Sequence, residues 1–113
     1  MNIQIFGTKK CNDTKKAERF FKERGIKFQF IDMKEKGMSK GELTSVASAN
    51  GGLLNIVNTD AKDQDAVALF MHIADEDKLE KLLELQHIIK TPVVRNGKQA
   101  TVGYQPDVWK KWE

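Results

Sequence analysis

The first 32 residues carry the feature that most constrains the fold, because a strand, a helix and a second strand follow one another closely. An apolar run at residues 3–6 predicts the first strand, and residues 27–32 alternate partly with period two, as a second strand does. Between them, a helix is predicted by the spacing i, i+3, i+4, i+7, which is followed by Ala17, Phe20, Phe21 and Arg24, three of them apolar. Gly25 suits the left-handed position that ends a helix. The sequence therefore predicts a βαβ unit with parallel strands, and hence an α/β fold.

The last 21 residues predict a β-hairpin followed by a helix. Asn96-Gly97 lies between the strand-like runs 93–95 and 98–102, and Asn-Gly in that position favours a type I′ turn. Pro106 suits the first position of a helix. We expect that helix to be anchored to the core by Val108, Trp109 and Trp112.

The chain between these two ends is predicted to be helical, as an insertion over residues of about 38–88. Ser39 and Glu42 have the spacing of a capping box, in which each side chain accepts the other residue's backbone N–H. The helix that follows is predicted to bury Leu43, Val46 and Ala47 and to end at residues 50–52. A short helical turn is predicted at residues 53–54, followed by a polar loop.

Two more helices are predicted in the second half of the insertion. Their buried faces are predicted to be Val67, Phe70, Met71 and Ala74 in the first, and Leu79, Leu82 and Leu83 in the second. Asp75 is a candidate N-cap for the second of these helices.

Length and composition limit the range of functions. A chain of 113 residues is long enough for one core, so we expect a single domain over residues 1–113. Its net charge of +3 is spread over interleaved acidic and basic residues, which gives no reason to expect direct nucleic-acid binding. A single cysteine excludes an internal disulfide and argues against structural zinc. No signal pattern and no apolar run of about 18–20 residues is visible, so we expect a cytoplasmic protein without membrane contact.

The stretch Gly7–Thr14 contains that cysteine, Cys11, at the point where the first strand gives way to the first helix. Unpaired N–H groups and the positive end of the helix dipole stabilise an anion there. Nearby lysines add positive charge: Lys9, Lys10, Lys15 and Lys16. Cysteines in such places have a pKa of roughly 3.5–7.5, so Cys11 is a candidate nucleophile. The alternatives are that Cys11 is a small buried apolar residue and that the lysines form a solvated surface.

The order of these elements resembles a thioredoxin-like fold of the glutaredoxin type: a mixed sheet with a helical insertion between the βαβ unit and the C-terminal hairpin. More narrowly, the chain resembles the arsenate reductase/Spx family. The segments that carry the resemblance are residues 3–7, 11–17, 25–28, 88–94 and 102–104. The resemblance implies a cis Thr91–Pro92 bond, with the proline loop packed against the Cys11 loop.

The same resemblance implies two functions. The first is a monothiol oxidoreductase in which the Cys11 thiolate attacks an oxidised substrate, with no bound cofactor and with glutathione, or a glutaredoxin, as thiol partner. The second is a non-catalytic, Spx-like regulator that binds the RNA polymerase alpha subunit. Beside Cys11, the residues expected to hold the substrate or thiol are Lys10, Asn12, Asp13, Thr14, Thr91 and Pro92. Further candidates for charge support are Lys9, Lys15, Lys90 and Arg95.

This sequence departs from both branches of the family at the site. Thr14 stands where the redox-switched members carry a second cysteine. Arsenate-reducing members surround the cysteine with arginines, and an approximate alignment places neutral residues there instead: Asn55, Thr91 and Gln105. Neutral side chains do not replace the rigid, charged fork of arginine. We therefore expect poor arsenate reduction.

The remaining polar candidates have more than one interpretation. Thr14 either donates a hydrogen bond to the Cys11 thiolate or is a capping or solvent-exposed residue. His72 is expected at a helix surface, and His87 is expected to contact the last carbonyls of a helix. Two separate histidines and one cysteine do not make a metal site.

Overall fold

The computed structural model describes all 113 residues and contains one four-stranded sheet. The strands are β1 Ile3–Gly7, β2 Phe28–Asp32, β3 Val93–Asn96 and β4 Gln99–Val102. They lie in the order β2-β1-β3-β4. β1 is parallel to β2 and antiparallel to β3, and β3 is antiparallel to β4. The predicted βαβ unit and hairpin are therefore both present, in one mixed sheet.

The register of β1 brings three connections to the same edge of the sheet. Gly7, the last residue of β1, pairs with Asp32 at the end of β2. Phe6 pairs with Val93 at the beginning of β3. The loop after β1, the loop after β2 and the segment before β3 consequently meet at this edge.

Five α-helices complete the fold: α1 Asn12–Glu23, α2 Lys40–Ala49, α3 Gln64–His72, α4 Lys78–Glu84 and α5 Pro106–Lys110. Three short 3-10 turns join them, at Leu53–Asn55, Asp75–Asp77 and Gln86–Ile88. α1 connects β1 to β2, whereas α2, α3 and α4 lie in the chain between β2 and β3. No helix is both long enough and apolar enough to cross a membrane.

Local signals account well for α2. Ser39 Oγ accepts the Glu42 N–H at 3.1 Å and Glu42 Oε1 accepts the Ser39 N–H at 2.8 Å, so the capping box is confirmed. The three predicted core residues of α2, Leu43, Val46 and Ala47, are all buried. A capping box satisfies two of the N–H groups that every helix leaves unpaired at its start.

The predictions for the buried face of α3 and for the start of α4 were partly wrong. α3 buries Ala66, Val67 and Phe70, whereas Met71 is 43% exposed and Ala74 lies beyond the end of the helix. The helix ends early because Ile73 takes an extended conformation. Asp75 does not cap α4; it begins the 3-10 turn before it. Its carboxylate lies 3.7 Å from Nζ of the buried Lys78 instead.

The hairpin forms as predicted, but its turn differs by one residue. Asn96 pairs with Gln99, so the two turn residues are Gly97 and Lys98 instead of Asn96 and Gly97. Gly97 has φ +62°, and no residue other than glycine has a positive φ. Glycine with positive φ at the first central position is the type II′ pattern, and type I′ would require positive φ at both positions. The type I′ prediction was therefore wrong.

Two groups of buried residues cover the two faces of the sheet. Phe6 and Val93 belong to a cluster of 16 buried residues that includes the inner faces of α2, α3 and α4. Ile5 and Val94 belong to a cluster of 6 that includes Ala17 and Phe21 of α1 and Trp109 of α5. Neighbouring residues of one strand enter different clusters because successive side chains point to opposite faces.

A short β-bridge ties the insertion to the segment before β3. Val57 and Ile89 form an isolated antiparallel pair. The Asn58 N–H donates to Ile88 O and the Lys90 N–H donates to Ile56 O, both at 2.8 Å. The insertion is thereby held beside Thr91 and Pro92.

Candidate functional site

Cys11 is the N-cap residue of α1. Its backbone is extended, with φ −79° and ψ 116°, and its side chain makes no capping hydrogen bond to the helix. Its N–H donates to Thr8 O and its carbonyl accepts the Lys15 N–H, both at 3.2 Å. The loop after β1 and the first turn of α1 thus fix Cys11 at the helix N-terminus, where the sequence places it, and the side chain is half-buried.

Thr91 is the residue that contacts the Cys11 sulfur from the other side. Its Oγ1 donates to Cys11 Sγ at 3.2 Å, and its carbonyl oxygen lies 3.8 Å from the same sulfur. The Thr91–Pro92 bond is cis, as the family resemblance implies. Pro92 O accepts the Gly103 N–H at 2.9 Å, which connects this segment to the end of β4. The register of the sheet brings Thr91 and Cys11 together although they are 80 residues apart in sequence.

The surroundings of Cys11 favour the thiolate. Burial raises the pKa of the Cys11 thiol, but the hydrogen bonds around it outweigh burial and bring the pKa below its ordinary value. The donors are the hydroxyls of Thr14 and Thr91 and the backbone N–H groups of Thr14 and Asp13. No lysine charge is among the causes. The hydrogen-bond donors, more than the basic residues, therefore account for the acidity of this cysteine.

Thr14 is neither solvent-exposed nor a capping residue. Its side chain is 0% exposed, and Oγ1 has no hydrogen-bond partner of good geometry. A buried hydroxyl without a partner carries a desolvation cost. A thiolate at Cys11 would supply the missing acceptor, which explains why the Thr14 hydroxyl lowers the pKa of Cys11.

Gly7 makes room for the Thr14 side chain. A Cβ at position 7 would collide with Thr14 and would lie 2.6 Å from its Cγ2. The glycine that ends β1 thus permits the close approach of α1 to the strand. The sequence signal for this contact was the glycine immediately before the cysteine loop, but nothing in the sequence connected it with Thr14.

The other predicted residues of the Cys11 loop lie on its outer side. Lys9, Lys10, Lys15 and Asn12 are exposed, and the side chain of Asp13 lies 3.9 Å from Lys16. The structure gives none of these side chains a hydrogen bond to Cys11, so their predicted role in holding a substrate or supporting charge stays a prediction.

The structure does not bring Arg95 to Cys11. Its guanidinium donates to Gln4 Oε1 at 2.8 Å and to Glu42 Oε2 at 3.4 Å, so it is occupied between β1 and α2. Because Gln4 lies three residues before the end of β1, the Arg95 guanidinium is displaced along the strand from the end of the sheet at which Cys11 and Thr91 meet. Lys90 is exposed and donates to Asn55 O at 3.3 Å.

Of the three positions aligned with arginines, only Thr91 contacts the cysteine. The Asn55 side chain donates to Asn50 O at 2.8 Å, and the Gln105 side chain donates to Val102 O at 2.9 Å. Both side-chain amides donate to nearby backbone carbonyls, and because both are neutral, neither places a charge near Cys11 Sγ.

The prediction for His87 was wrong. Its Nε2 lies 2.8 Å from Asp63 Oδ2 instead of contacting helix carbonyls. Asp63 is also the N-cap of α3, since Oδ1 accepts the Ala66 N–H at 3.0 Å. The His87 and Ala66 hydrogen bonds lower the pKa of Asp63. His72 is exposed, as predicted.

A cavity of about 490 Å³ opens beside the cysteine and was not foreseen from the sequence. Thr8 and Thr91, which both hydrogen-bond to Cys11, form one side of it. The loop after β2 and the loop before α3 contribute Lys34 and Lys62. The polar lining also includes the His87–Asp63 pair, Asn58 and Gln86. These residues are far apart in sequence, so no local pattern could have grouped them. No three metal-ligating side chains converge anywhere in the chain.

Two solved structures share the fold of this chain. The arsenate reductase from Vibrio cholerae superposes with a TM-score of 0.82 at 20% identity, over 98% of this chain and 97% of that one. The glutaredoxin-like protein NrdH-redoxin from Escherichia coli superposes with a TM-score of 0.52 at 17% identity, over 100% and 96%. The predicted thioredoxin-like α/β fold is therefore confirmed.

Comparisons of sequence concern the family. A model described as the ArsC family matches residues 6–112. The global transcriptional regulator Spx 2 of Oceanobacillus iheyensis is 30% identical over 112 residues, which cover 95% of this chain and 80% of that protein. These matches span nearly the whole chain and confirm the predicted resemblance. The chain belongs to the ArsC family.

Proposed function

We propose that this protein is a monothiol oxidoreductase in which Cys11 exchanges with disulfides and an external thiol, such as glutathione, completes the cycle. The observation that carries the proposal is the position of Cys11 Sγ, at the N-terminus of α1 and 3.2 Å from Thr91 Oγ1. Four donors lower the pKa of this half-buried thiol. A cysteine that is both accessible and acidic is the usual nucleophile of thiol chemistry.

The proposed reaction has two steps. The Cys11 thiolate attacks one sulfur of a disulfide R–S–S–R, a new S–S bond to Cys11 forms, and RS⁻ leaves and takes a proton from water. An external thiolate R′S⁻ then attacks the substrate sulfur of the mixed disulfide, which releases Cys11 as the thiolate and R–S–S–R′ as the product. One half of the substrate disulfide is thereby released as a thiol, and the external thiol takes its place in R–S–S–R′. A second equivalent of the external thiol, which attacks R–S–S–R′ and gives RS⁻ and R′–S–S–R′, completes the two-electron reduction of the substrate. Thr91 and Pro92 are the residues expected to position the thiol partner.

Arsenate is expected to be a poor substrate. Attack on a tetrahedral oxyanion needs pre-placed donors that strengthen as charge develops, and losing one such donor typically costs about 2.7–4 kcal/mol. The side-chain amides of Asn55 and Gln105 donate to backbone carbonyls, and Thr91 is neutral. The site as built favours exchange with a neutral sulfur over attack on an oxyanion.

Turnover measurements with the wild type and Cys11→Ser test this proposal. A glutathione-mixed disulfide would be supplied in one series, and arsenate with glutathione and glutaredoxin in the other. We expect Cys11-dependent turnover of the mixed disulfide and little turnover of arsenate, with the exposed-site variant His72→Gln as control. Absence of any Cys11-dependent turnover would overturn the proposal, and rapid arsenate turnover would overturn its substrate preference.

A second candidate function is regulation through binding to the RNA polymerase alpha subunit. It is supported by the 30% identity with a protein named as a global transcriptional regulator. Because Thr14 replaces the second cysteine, such a regulator would work without an internal disulfide. Calorimetric titration of the purified alpha subunit tests this candidate. Binding that Cys11→Ser leaves unchanged would support the regulator, and no heat of binding would exclude it.

A further inference from the structure

The cavity next to the residues that contact Cys11 is large enough for a small ligand. Its volume of about 490 Å³ lies within the range of clefts that bind small molecules, roughly 300–1,000 Å³. It begins at Thr8 and Thr91, which contact Cys11, and extends to residues of the insertion. Cys11 itself does not line the cavity, and the link to the reacting sulfur is Thr91, which lines the cavity and donates a hydrogen bond to Cys11 Sγ.

The charges that line the cavity are unbalanced. Lys34 and Lys62 are exposed at its edge and form no ion pair within the protein. The only acidic residue in the lining is Asp63, and its two oxygens are occupied by the Ala66 N–H and by His87. The lining therefore contains two lysines without an ion pair and one carboxylate that is already engaged.

The cavity also has an apolar part. Met33, Ala61 and Ile89 line it together with the polar residues. Apolar side chains in the lining suit the methylene spacer of a small organic ligand. A ligand that matches the whole cavity has a sulfur at one end, an aliphatic spacer, and an anionic group at the other.

We propose that this cavity selects the acidic half of the substrate: Cys11 prefers disulfides of small thiols that carry a carboxylate remote from the sulfur, and Lys34 and Lys62 bind that carboxylate. This inference rests on the proposed thiol exchange and names its substrate class. The bonds made and broken are those of that exchange, and the carboxylate takes no part in them. Lys34 and Lys62 act by binding and do not touch the reacting sulfurs.

A charge series of small disulfides of similar size tests this selectivity. The probes are 3,3′-dithiodipropionate, which is anionic, bis(2-hydroxyethyl) disulfide, which is neutral, and cystamine, which is cationic. The measured quantity is the second-order rate constant for formation of the Cys11 mixed disulfide, followed by intact-protein mass. The wild type should react in the order anionic, neutral, cationic, and added salt should reduce the preference.

The double variant Lys34→Gln/Lys62→Gln separates the cavity from the general charge of the protein. We expect it to lower the anionic-to-neutral rate ratio by about 2- to 30-fold, the range that two exposed ion pairs provide. The matched control is Lys27→Gln/Lys98→Gln, which removes the same charge from exposed residues immediately before β2 and in the hairpin turn. The control should keep the wild-type ratio.

The possible outcomes separate this inference from the proposed function. If all variants form the mixed disulfide with equal ratios, or if the control loses as much as the cavity variant, the selectivity of the cavity is refuted while thiol exchange stands. If Cys11 forms no mixed disulfide even with the neutral probe, the proposed function fails and this inference fails with it. Circular dichroism of each variant checks that the fold is retained.

Discussion

At the scale of single residues, the chemistry of this protein depends on donors that the backbone places around one sulfur. Thr91 reaches Cys11 from the segment before β3, and Thr14 reaches it from the first turn of α1. The lysines near Cys11 in the sequence are exposed, and they are not among the causes of its lowered pKa. Short-range hydrogen bonds act at full strength in a half-buried site, whereas charges in solvent are screened.

Removing these hydroxyls should raise the pKa of Cys11. Thr91→Val and Thr14→Val each take away a donor to the thiolate, so the rate of alkylation by iodoacetamide should inflect at a higher pH than in the wild type. The wild-type inflection should itself lie below about 8.5, the value of an unperturbed cysteine. Lys9→Gln serves as a comparison and should shift the inflection less than either threonine variant. A wild-type inflection at or above the unperturbed value would show that Cys11 is an ordinary thiol.

The two threonine variants should differ in stability at acid pH. Below the pH at which Cys11 titrates, the thiolate acceptor is absent and Thr14 Oγ1 is a buried hydroxyl without a partner, so Thr14→Val should not lower the free energy of unfolding there. Thr91→Val removes a hydroxyl that is already hydrogen-bonded, and a small loss is expected. Urea unfolding at a pH below the alkylation inflection of the wild type measures both. A clear loss of stability in Thr14→Val would mean that its hydroxyl has a partner, such as an internal water molecule.

The lowered pKa of Cys11 also predicts how stability depends on pH. Between the pKa of folded Cys11 and about 8.5, the unfolded chain binds more protons than the folded one, so the free energy of unfolding rises with pH. This contribution is fully present above the unfolded pKa and is lost as the pH falls through the folded pKa. Cys11→Ser should lack the rise, because serine does not titrate there. Parallel curves for the two proteins in urea would contradict the lowered pKa.

At the scale of elements, the capping box of α2 offers the clearest test. Ser39→Ala removes the acceptor of the Glu42 N–H and should lower the free energy of unfolding by about 1 kcal/mol. Thr44→Ala is the matched control, since it removes a hydroxyl that bonds Lys40 O within the same helix and puts a better helix former in its place. Equal losses of unfolding free energy in the two variants would show that the Ser39 cap stabilises α2 no more than the Thr44 hydroxyl does.

Elements defined by local chemistry were predictable, and those set by distant contacts were not. The capping box of α2 and the helix after Cys11 depend on residues within one or two turns, and the sequence contains them. The hairpin was predictable, but its turn was not, because pairing of β3 with β1 and β4 sets the register and moves the turn to Gly97 and Lys98.

The same distinction holds within the candidate site. The position of Cys11 follows from the local switch from strand to helix, and it was predictable. The partner of His87 was not, because Asp63 is 24 residues away and approaches only through the packing of the insertion. The occupied state of Arg95 likewise depends on Gln4 and Glu42, from two other elements.

At the scale of the whole molecule, a small buried cluster holds α1 and α5 on one face of the sheet. Trp109 is fully buried in it, and its Nε1 donates to Thr101 Oγ1 at 2.8 Å. Its ring also lies 5.3 Å from those of Phe20 and Phe21. This cluster has 6 buried residues, and the cluster on the other face has 16. Removing one large side chain from the smaller cluster should therefore lower the free energy of unfolding strongly.

Trp109→Ala should therefore lower the free energy of unfolding by about 3–5 kcal/mol, a large part of the total for a domain of this size. Trp112, three residues later, is only half-buried, and Trp112→Ala should cost clearly less. Urea unfolding followed by circular dichroism gives both values. A larger loss in Trp112→Ala would mean that the end of the chain, not the buried ring, holds α5 in place.

The buried Thr14 also determines how long an oxidised form of this protein would last. A protein with a second cysteine at that position can release an adduct from the first cysteine by forming an internal disulfide. The rate of that release does not depend on the concentration of thiol in solution. Here the position holds a hydroxyl, and Cys11 is the only sulfhydryl in the chain. A mixed disulfide on Cys11 must therefore wait for a thiol to arrive by diffusion, and its half-life varies inversely with the concentration of that thiol. The fraction of molecules carrying an adduct would thus report the supply of reducing thiol around them.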